Sequence, residues 1–423
     1  MKEKQTSNSY YMKYNISPQE YYGYLRKVNS FSFLQEPIWT EVKSGDKRFL
    51  IGLYYDNQIV GVATALIVKL FAGFTVLYIA RGPVLDFENA ELLQAFRDGI
   101  TKLTKENHAL FAKMDPHVIN EKIALQDISN YRNHFDATIS TLKKAGFRHQ
   151  GSGADRFYQA WQIQVHKAIP LFDKNTGELF SEATFLPAFI QNMPKRMKHI
   201  FLNSFHEKRG VSFKLIKGPH SMDDFAEIMK ATEKRKNIFI RNKEYFERIA
   251  ETFGDRAHFY YASINIDKYI EFQESRTGTD ADIKDAAKKI DRAIEKAEKY
   301  GKDIVIGACL VIMPYEYAEM KIAEYLFAGG NNFFPDVNCS RGLIYRGCID
   351  AIQLGCHFFD LGGTPTDPNE PLTVFKNTFY PDTFEFIGEF DLITNKVMYN
   401  IYENVRNLRN QLRAKRASSV REH

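Results

Sequence analysis

One order of apolar segments occurs twice in this chain, and that repetition constrains the fold more than any other feature. Val60 to Val68 and Thr75 to Ala80 read as two strands joined by a short turn. A segment of helical period follows from Leu92 to Asn107, and Ala109 to Asp115 then reads as a buried strand stopped by Pro116. In the second half, Ile304 to Ile312 and Ala323 to Ala328 are strands and Arg341 to Leu354 is a helix. Cys356 to Leu361 is a further strand that runs into Gly362-Gly363. A strand, helix, strand crossover in each half calls for a parallel pair inside a mixed sheet with a helix packed on it. The pattern therefore predicts an α/β chain made of two similar domains, at residues 1–165 and 166–400. The echo is one of pattern, not of residue identity. Part of the second half is expected to pack back on the first domain.

A different texture interrupts the second domain. Ile266 to Arg276 and Asp282 to Tyr300 are two helical segments separated by Thr277-Gly278-Thr279-Asp280, with Gly301 in position to end the second. Ile283, Ala287, Ile290, Ile294 and Ala297 recur at spacings of 4, 3, 4 and 3, a coiled-coil seam on an otherwise charged helix. This predicts a protruding antiparallel helical hairpin arm at about 266–300 whose seam is self-contained. Residues 401–423 read as a helix end and basic tail: from Arg406 to His423, Arg406, Arg409, Arg413, Lys415, Arg416 and Arg421 face only one acid, Glu422. The tail is either a solvated terminus or a contact for RNA or anionic lipid.

The 423 residues are 44% apolar and 26% charged, which excludes general disorder, and a net charge of +5 does not by itself indicate nucleic-acid binding. The 34 Phe and 23 Tyr suit broad sheets and grooves for extended ligands, although most must fill core. Cys309, Cys339, Cys348 and Cys356 form no CxxC pair and have no His at zinc spacing, so a reducing cytosol fits. Met1 to Ser9 is polar and lacks the apolar core of a signal peptide. Ala63 to Ala80 is apolar enough to raise a membrane span, but Lys69 interrupts it and Ala72-Gly73 reads as a turn. Two buried strands account for it better. No GxSxG elbow, phosphate-binding GxxxxGK loop, HExxH or dinucleotide glycine fingerprint is present.

The block Cys356-His357-Phe358-Phe359-Asp360-Leu361-Gly362-Gly363-Thr364 is followed by Leu372 to Phe379 and by Phe386 to Asp391. It resembles the closing signature of the Fem family of peptidoglycan aminoacyltransferases (FemABX and MurM-like). Phe33-Leu34-Gln35-Glu36-Pro37-Ile38-Trp39-Thr40-Glu41-Val42-Lys43 is similar to the family's opening. Tyr78 to Pro83, Lys113 to Pro116, and Thr232 to Asn237 with Arg241 and Tyr245-Phe246 match further blocks in the family's order. The resemblance spans about residues 30 to 400. It implies two acetyltransferase-like (GNAT-type) domains with a helical arm, shorter here than in long-armed members. It also implies transfer of an amino acid from aminoacyl-tRNA to a stem-peptide amine of a cell-wall precursor, either UDP-MurNAc-pentapeptide or lipid II, without metal or organic cofactor. The expected place of work is the cytoplasm, with peripheral contact at the inner membrane face.

The chemistry of such a transfer assigns work to residue types. An aminoacyl ester is already activated, so a neutral, oriented amine attacks it directly. The amine must lose a proton, the oxyanion must be stabilised, and the departing ribose oxygen must regain a proton. Asp115, at a strand end before a proline, is placed to hold the amine, or else serves as a turn cap; the resemblance puts it in the acceptor pocket. Lys376 is the candidate cation for the oxyanion or the tRNA terminus, on the ground that a flexible ammonium follows moving charge; an ordinary exposed lysine is the alternative. Lys43, Arg81, Arg235 and Arg241 are candidates for the acceptor's phosphates and carboxylates. Trp39, Tyr325 and Phe375 are candidate cleft residues, with core packing the alternative for Trp39. Thr364-Pro365-Thr366-Asp367-Pro368 departs from the family, where further glycines are common. Two rival functions stand beside this one: an acyl-CoA-dependent N-acyltransferase and a non-catalytic RNA-binding protein. Against the first, Arg346-Gly347-Cys348-Ile349 does not supply the Arg/Gln-x-x-Gly-x-Gly/Ala turn that holds a pyrophosphate.

Overall fold

The computed structural model describes residues 9–29, 31–43, 47–119, 135–151, 160–191, 193–205, 207–365 and 367–421. In chain order its strands are β1 (Tyr10–Tyr14), β2 (Lys47–Tyr55), β3 (Gln58–Lys69), β4 (Thr75–Ile79), β5 (Val84–Leu85), β6 (Phe111–Met114), β7 (Arg148–His149), β8 (Val165–Pro170), β9 (Val211–Lys217), β10 (Ala257–Asn265), β11 (Asp303–Ile312), β12 (Ile322–Gly330), β13 (Phe358–Gly363), β14 (Asp382–Glu385) and β15 (Phe390–Ile393). The chain divides into two compact units, Met1–Val165 with Phe384–His423, and His166–Thr383.

The first sheet runs β1-β2-β3-β4-β6-β15-β7, with β5 paired to β3. Strands β1 to β4 are antiparallel neighbours, and β4 pairs with β6 in parallel across the helix Ala90–Glu106. That helix starts where the Asn89 side chain accepts the Leu92 N–H at 3.0 Å. Its residues Leu92, Phe96, Ile100 and Leu103 recur at helical spacing and lie buried in the first core, where each contributes about 1.5–3 kcal/mol. The apolar stretch from 63 to 80 is β3 and β4, joined by a short 3-10 turn at Phe71–Gly73. Strand β15 pairs with β6, so residues 384–400, which the sequence pattern assigned to the second domain, belong to the first unit.

The second sheet runs β14-β8-β13-β12-β11-β10-β9. Here β9 to β12 are antiparallel, and β12 pairs in parallel with β13 across the helix Cys339–Gln353. The repeat anticipated from the sequence is thus present: each unit makes an antiparallel meander, then a helical crossover to a parallel strand. The crossover helix presses on its sheet through glycines. A Cβ on Gly342 would meet the Phe213 ring at 2.2 Å, and one on Gly347 the Phe359 ring at 2.8 Å.

The hairpin forms as Ile266–Glu274 and Asp280–Tyr300, with Thr279 and Asp282 closing a capping box. Its seam differs from the expected one. The buried positions are Ala286 and Ala293, while Ile283 and Ile294 are 54% and 45% exposed. Ala293, Ile266 and Tyr269 belong to the core of the second unit, so the hairpin's base is not self-contained. Alanines let the two helices come close, and the observed face keeps Ile290 and Ala297 of the expected stripe but takes Ala286 and Ala293 in place of Ala287 and Ile294, one residue earlier in each case. The chain ends in the helix Lys396–Arg421; the side chains beyond residue 408, most of the basic tail, lie outside the described residues. Arg406 pairs with Glu403 at 2.9 Å.

Candidate functional site

In the first unit the motif residues converge on one buried carboxyl. Asp115 follows β6 and is 2% exposed. Its Oδ1 accepts hydrogen bonds from the Tyr78 hydroxyl at 3.0 Å and from the Arg81 backbone N–H at 3.1 Å. Its Oδ2 lies 3.6 Å from Arg81 Nη1 and accepts no hydrogen bond among the described residues. Burial pushes the carboxyl up to about 7, helped by the charge of Glu389 and opposed by Arg81 and by the two donors. A carboxyl that titrates near neutrality, with one oxygen that accepts no hydrogen bond among the described residues, is suited to accept a proton or hold an amine.

The surroundings hold that carboxyl in place. Arg81 adopts a left-handed backbone, φ 50°, which turns its N–H toward Asp115. Its guanidinium donates to the Ile163 carbonyl at 2.6 Å and stacks 3.8 Å from the centre of the Phe386 ring. Gln35 donates to the Ala80 carbonyl at 2.6 Å, accepts the Thr64 N–H at 3.0 Å, and fills the space a Gly82 side chain would take. Behind Asp115, Lys113 is fully buried, 3.3 Å from Glu389 and 2.6 Å from Asp391. Burial alone would lower this lysine, but Asp391 and Glu389 outweigh it and raise it. Asp391 also accepts from Tyr399 at 2.6 Å and Gln150 at 2.8 Å, and Glu389 from the Trp161 N–H.

In the second unit a lysine is pinned at the end of β13. Lys376, on the helix Pro371–Asn377, is 6% exposed and donates to the carbonyls of Gly362 at 3.0 Å and Gly363 at 2.7 Å. It is therefore not the flexible exposed ammonium the sequence suggested. Burial pushes it down to about 8, with Asp360 opposing the fall and Lys167 adding to it. Asp360 shapes the turn: its Oδ1 accepts the Gly362 N–H at 2.7 Å and its Oδ2 lies 2.7 Å from His166 Nδ1. Burial raises this carboxyl, but His166, the Gly362 N–H and Lys376 together bring it below the usual range. The loop that departs from the family closes through its threonines: Thr364 and Thr373 hydroxyls are 3.0 Å apart, and Thr373 donates to the Pro365 carbonyl at 2.8 Å. Thr366 lies outside the described residues.

The other candidates fall in distinct places. Arg81, the candidate cation for acceptor phosphates, is 5% exposed at its side chain and lies 3.6 Å from Asp115. Trp39 is buried edge-on to Phe33, the packing given as its alternative, and Lys43 lies 4.6 Å above its ring. Arg235 is exposed and donates to the Gly330 carbonyl at 3.3 Å, and Arg241 is exposed, 5.3 Å from the centre of the Tyr245 ring. Tyr325, on β12, is half-buried against Phe359, and Phe375 is half-buried beneath Arg341. The sequence reading missed Tyr78, Glu389, Asp360 and His166 as site residues. Asp360 and Glu389 stood inside matched blocks, and a carboxylate directly before paired glycines was a usable signal; nothing marked His166.

The profile of the FemAB family matches residues 16–282 and 271–407. The chain belongs to the FemAB family. Aminoacyltransferase FemA of Staphylococcus epidermidis is 23% identical over 433 residues, covering 93% of this chain and 99% of FemA. A lipid II:glycine glycyltransferase of Staphylococcus aureus is 26% identical over 434 residues, covering 93% of this chain and 96% of the relative. A crystal structure of FemX shares the fold, with a TM-score of 0.69 at 22% identity over 92% of this chain and 99% of FemX. Two acetyltransferase-like units, inferred from the resemblance, are thus what this FemAB protein has. Gln35, Tyr78 to Gly82 and Asp115 in one unit, and Asp360 to Gly363 and Lys376 in the other, all lie within the residues that the family profile matches. Among the described residues, no helix is long and apolar enough to cross a membrane.

Proposed function

We propose that this protein moves an amino acid from aminoacyl-tRNA to the amine of the stem peptide in a peptidoglycan precursor, building an interpeptide bridge. The observation that carries the reading is Asp115, a buried carboxyl pushed up to about 7 whose Oδ2 lies 3.6 Å from Arg81 Nη1 and accepts no hydrogen bond among the described residues. Asp115 takes the proton from the acceptor ammonium, and the freed amine attacks the ester carbonyl, so that a C–N bond forms as the carbon–ribose oxygen bond breaks. Protonated Lys376 stabilises the developing oxygen charge and gives a proton to the departing ribose oxygen, and the second proton that the nitrogen sheds as the amide forms restores the lysine. Arg235, Arg241 and Lys43 hold the precursor's phosphates and carboxylates, while Tyr325 and Phe375 pack against its extended chain. Relatives named for aminoacyl transfer and for lipid II support the reaction class and the acceptor. The acyl-CoA alternative gains nothing at Gly347, whose face is filled by the Phe359 ring. The test is transfer of label from charged tRNA to purified UDP-MurNAc-pentapeptide and lipid II; absence of transfer from every aminoacyl-tRNA to either acceptor refutes the reading.

A further inference from the structure

Between the helices Asp223–Lys236 and Lys243–Phe253, the segment 234–243 reads Lys-Arg-Lys-Asn-Ile-Phe-Ile-Arg-Asn-Lys, with cations and no acid. Phe239 is 81% exposed, the highest value among the large apolar residues described, and Ile238 beside it is 51% exposed. Single exposed apolar residues are ordinary, but two adjacent ones at a loop tip, ringed by like charge, are not. The tip is held out by its own backbone. Asn237 ends the first helix in the left-handed region, φ 50°, and the N–H groups of Ile238 and Ile240 turn back to Glu233 at 3.3 and 3.4 Å. Asn242 caps the next helix through the Tyr245 N–H at 3.3 Å. With Arg235 and Arg241 assigned to the precursor, Lys243 paired with Asp223 at 2.5 Å and the Glu233 carboxylate at the Ile240 N–H, Lys234 and Lys236 carry the positive charge that this tip presents.

We infer that this loop is a membrane-contact element: Ile238 and Phe239 enter the interface of an anionic lipid surface while the flanking cations meet the lipid phosphates. A ring and an aliphatic side chain gain by leaving water for the acyl boundary, and lysines and arginines near such a surface add attraction while their stems lie along it. RNA is the other polyanion of this charge. A phenylalanine stacks on bases, but an exposed isoleucine gains little there, so the pair fits lipid better. The position on the fold agrees. Arg235 and Thr232 tie the helix before the loop to Gly330 at the end of β12. Because β12 is parallel to β13, that is the same end of the sheet at which Gly362-Gly363 hold Lys376. A tip in the membrane keeps that end of the sheet close to the lipid surface. The inference deepens the proposed function by making a membrane-bound precursor the acceptor, though lipid binding itself requires no substrate.

The test uses the full chain with vesicles of phosphatidylglycerol and phosphatidylcholine, and with phosphatidylcholine alone. Wild type should cosediment with the anionic vesicles and release with salt. Ile238→Ser with Phe239→Ser should weaken binding by roughly 10-fold or more, with the melting temperature unchanged, since neither side chain packs in the core. Phe239→Trp should show a blue-shifted emission on anionic vesicles after subtraction of the two native tryptophans. Unchanged binding by the double variant, or an emission spectrum of Phe239→Trp that vesicles do not move, overturns the inference. So does a double variant that keeps vesicle affinity and loses tRNA affinity, which would make the loop an RNA contact. Failure of aminoacyl transfer refutes the proposed function and leaves the vesicle result standing; wild-type protein that carries out transfer but does not bind anionic vesicles refutes the loop alone.

Discussion

Asp115→Asn should make the protein inactive and, above neutral pH, more stable. In the folded unit the carboxyl is raised from 3.8 to about 7, so the folded state prefers the protonated form. The sign follows from linkage. Below 3.8 both states carry the proton and the group costs nothing; between 3.8 and 7 the unfolded chain ionises first, and stability falls as pH rises; above about 7 the loss is complete. A shift of roughly three units corresponds to about 4 kcal/mol, an upper limit. Asparagine copies the protonated form and can still accept from Tyr78 and the Arg81 N–H, but its amide meets the Arg81 guanidinium 3.6 Å away. Allowing half the gain for that conflict leaves about 2 kcal/mol, roughly 4–8 °C for a unit of this size. Calorimetry of wild type and variant from about pH 4 to pH 8 reads it directly: the curves should meet at the acid end and separate toward neutrality. A variant that melts below wild type at pH 8, or a gap independent of pH, would refute the raised carboxyl and with it the base.

Transfer by wild type should follow a bell-shaped pH profile, rising through about 7 as Asp115 ionises and falling through about 8 as Lys376 loses its proton. Lys376→Met should lower turnover at least ~10-fold and remove the alkaline limb; a wild-type profile in that variant would take Lys376 out of the reaction. Lys113→Met strands Glu389 and Asp391 as buried like charges, and should cost about 3–5 kcal/mol near pH 8. Part of that loss should return as pH falls and one carboxylate takes up a proton, which melting curves at two pH values would show. Ala293→Leu should cost about 1–3 kcal/mol by overpacking the base of the hairpin, whereas Ile283→Ser should be nearly neutral; equal effects in urea melts would contradict the observed seam.

The architecture was legible because strand and helix periods, and the breaks at Lys69, Pro116 and Gly301, are local. What local pattern does not carry is which side chains meet across the chain. His166 and Asp360 are 194 positions apart, and no spacing rule joins them. Lys113 reads as an ordinary charge in a short strand until β15 brings Glu389 and Asp391 beside it. Arg81 and Trp39 stood in matched blocks and were assigned to ligand contacts. Family blocks mark residues needed for a site without separating those that touch a ligand from those that hold its neighbours. The hairpin was found from its helical period, and its stripe was misphased at two of its positions, because periods of 3.5 and 3.6 place Ala287 and Ile294 or their neighbours Ala286 and Ala293 almost equally well.

The central claim is that an aminoacyl ester is consumed by a precursor amine with the help of Asp115 and Lys376. Its most direct test is a panel of radiolabelled aminoacyl-tRNAs incubated with the purified full chain and with each acceptor, UDP-MurNAc-pentapeptide and lipid II, alongside Asp115→Asn and Lys376→Met. Label should move from one or a few tRNAs to the stem-peptide amine with wild type, and at least ~10-fold more slowly with either variant. No transfer from any aminoacyl-tRNA to either acceptor would contradict the account, as would transfer that both variants carry out at the wild-type rate.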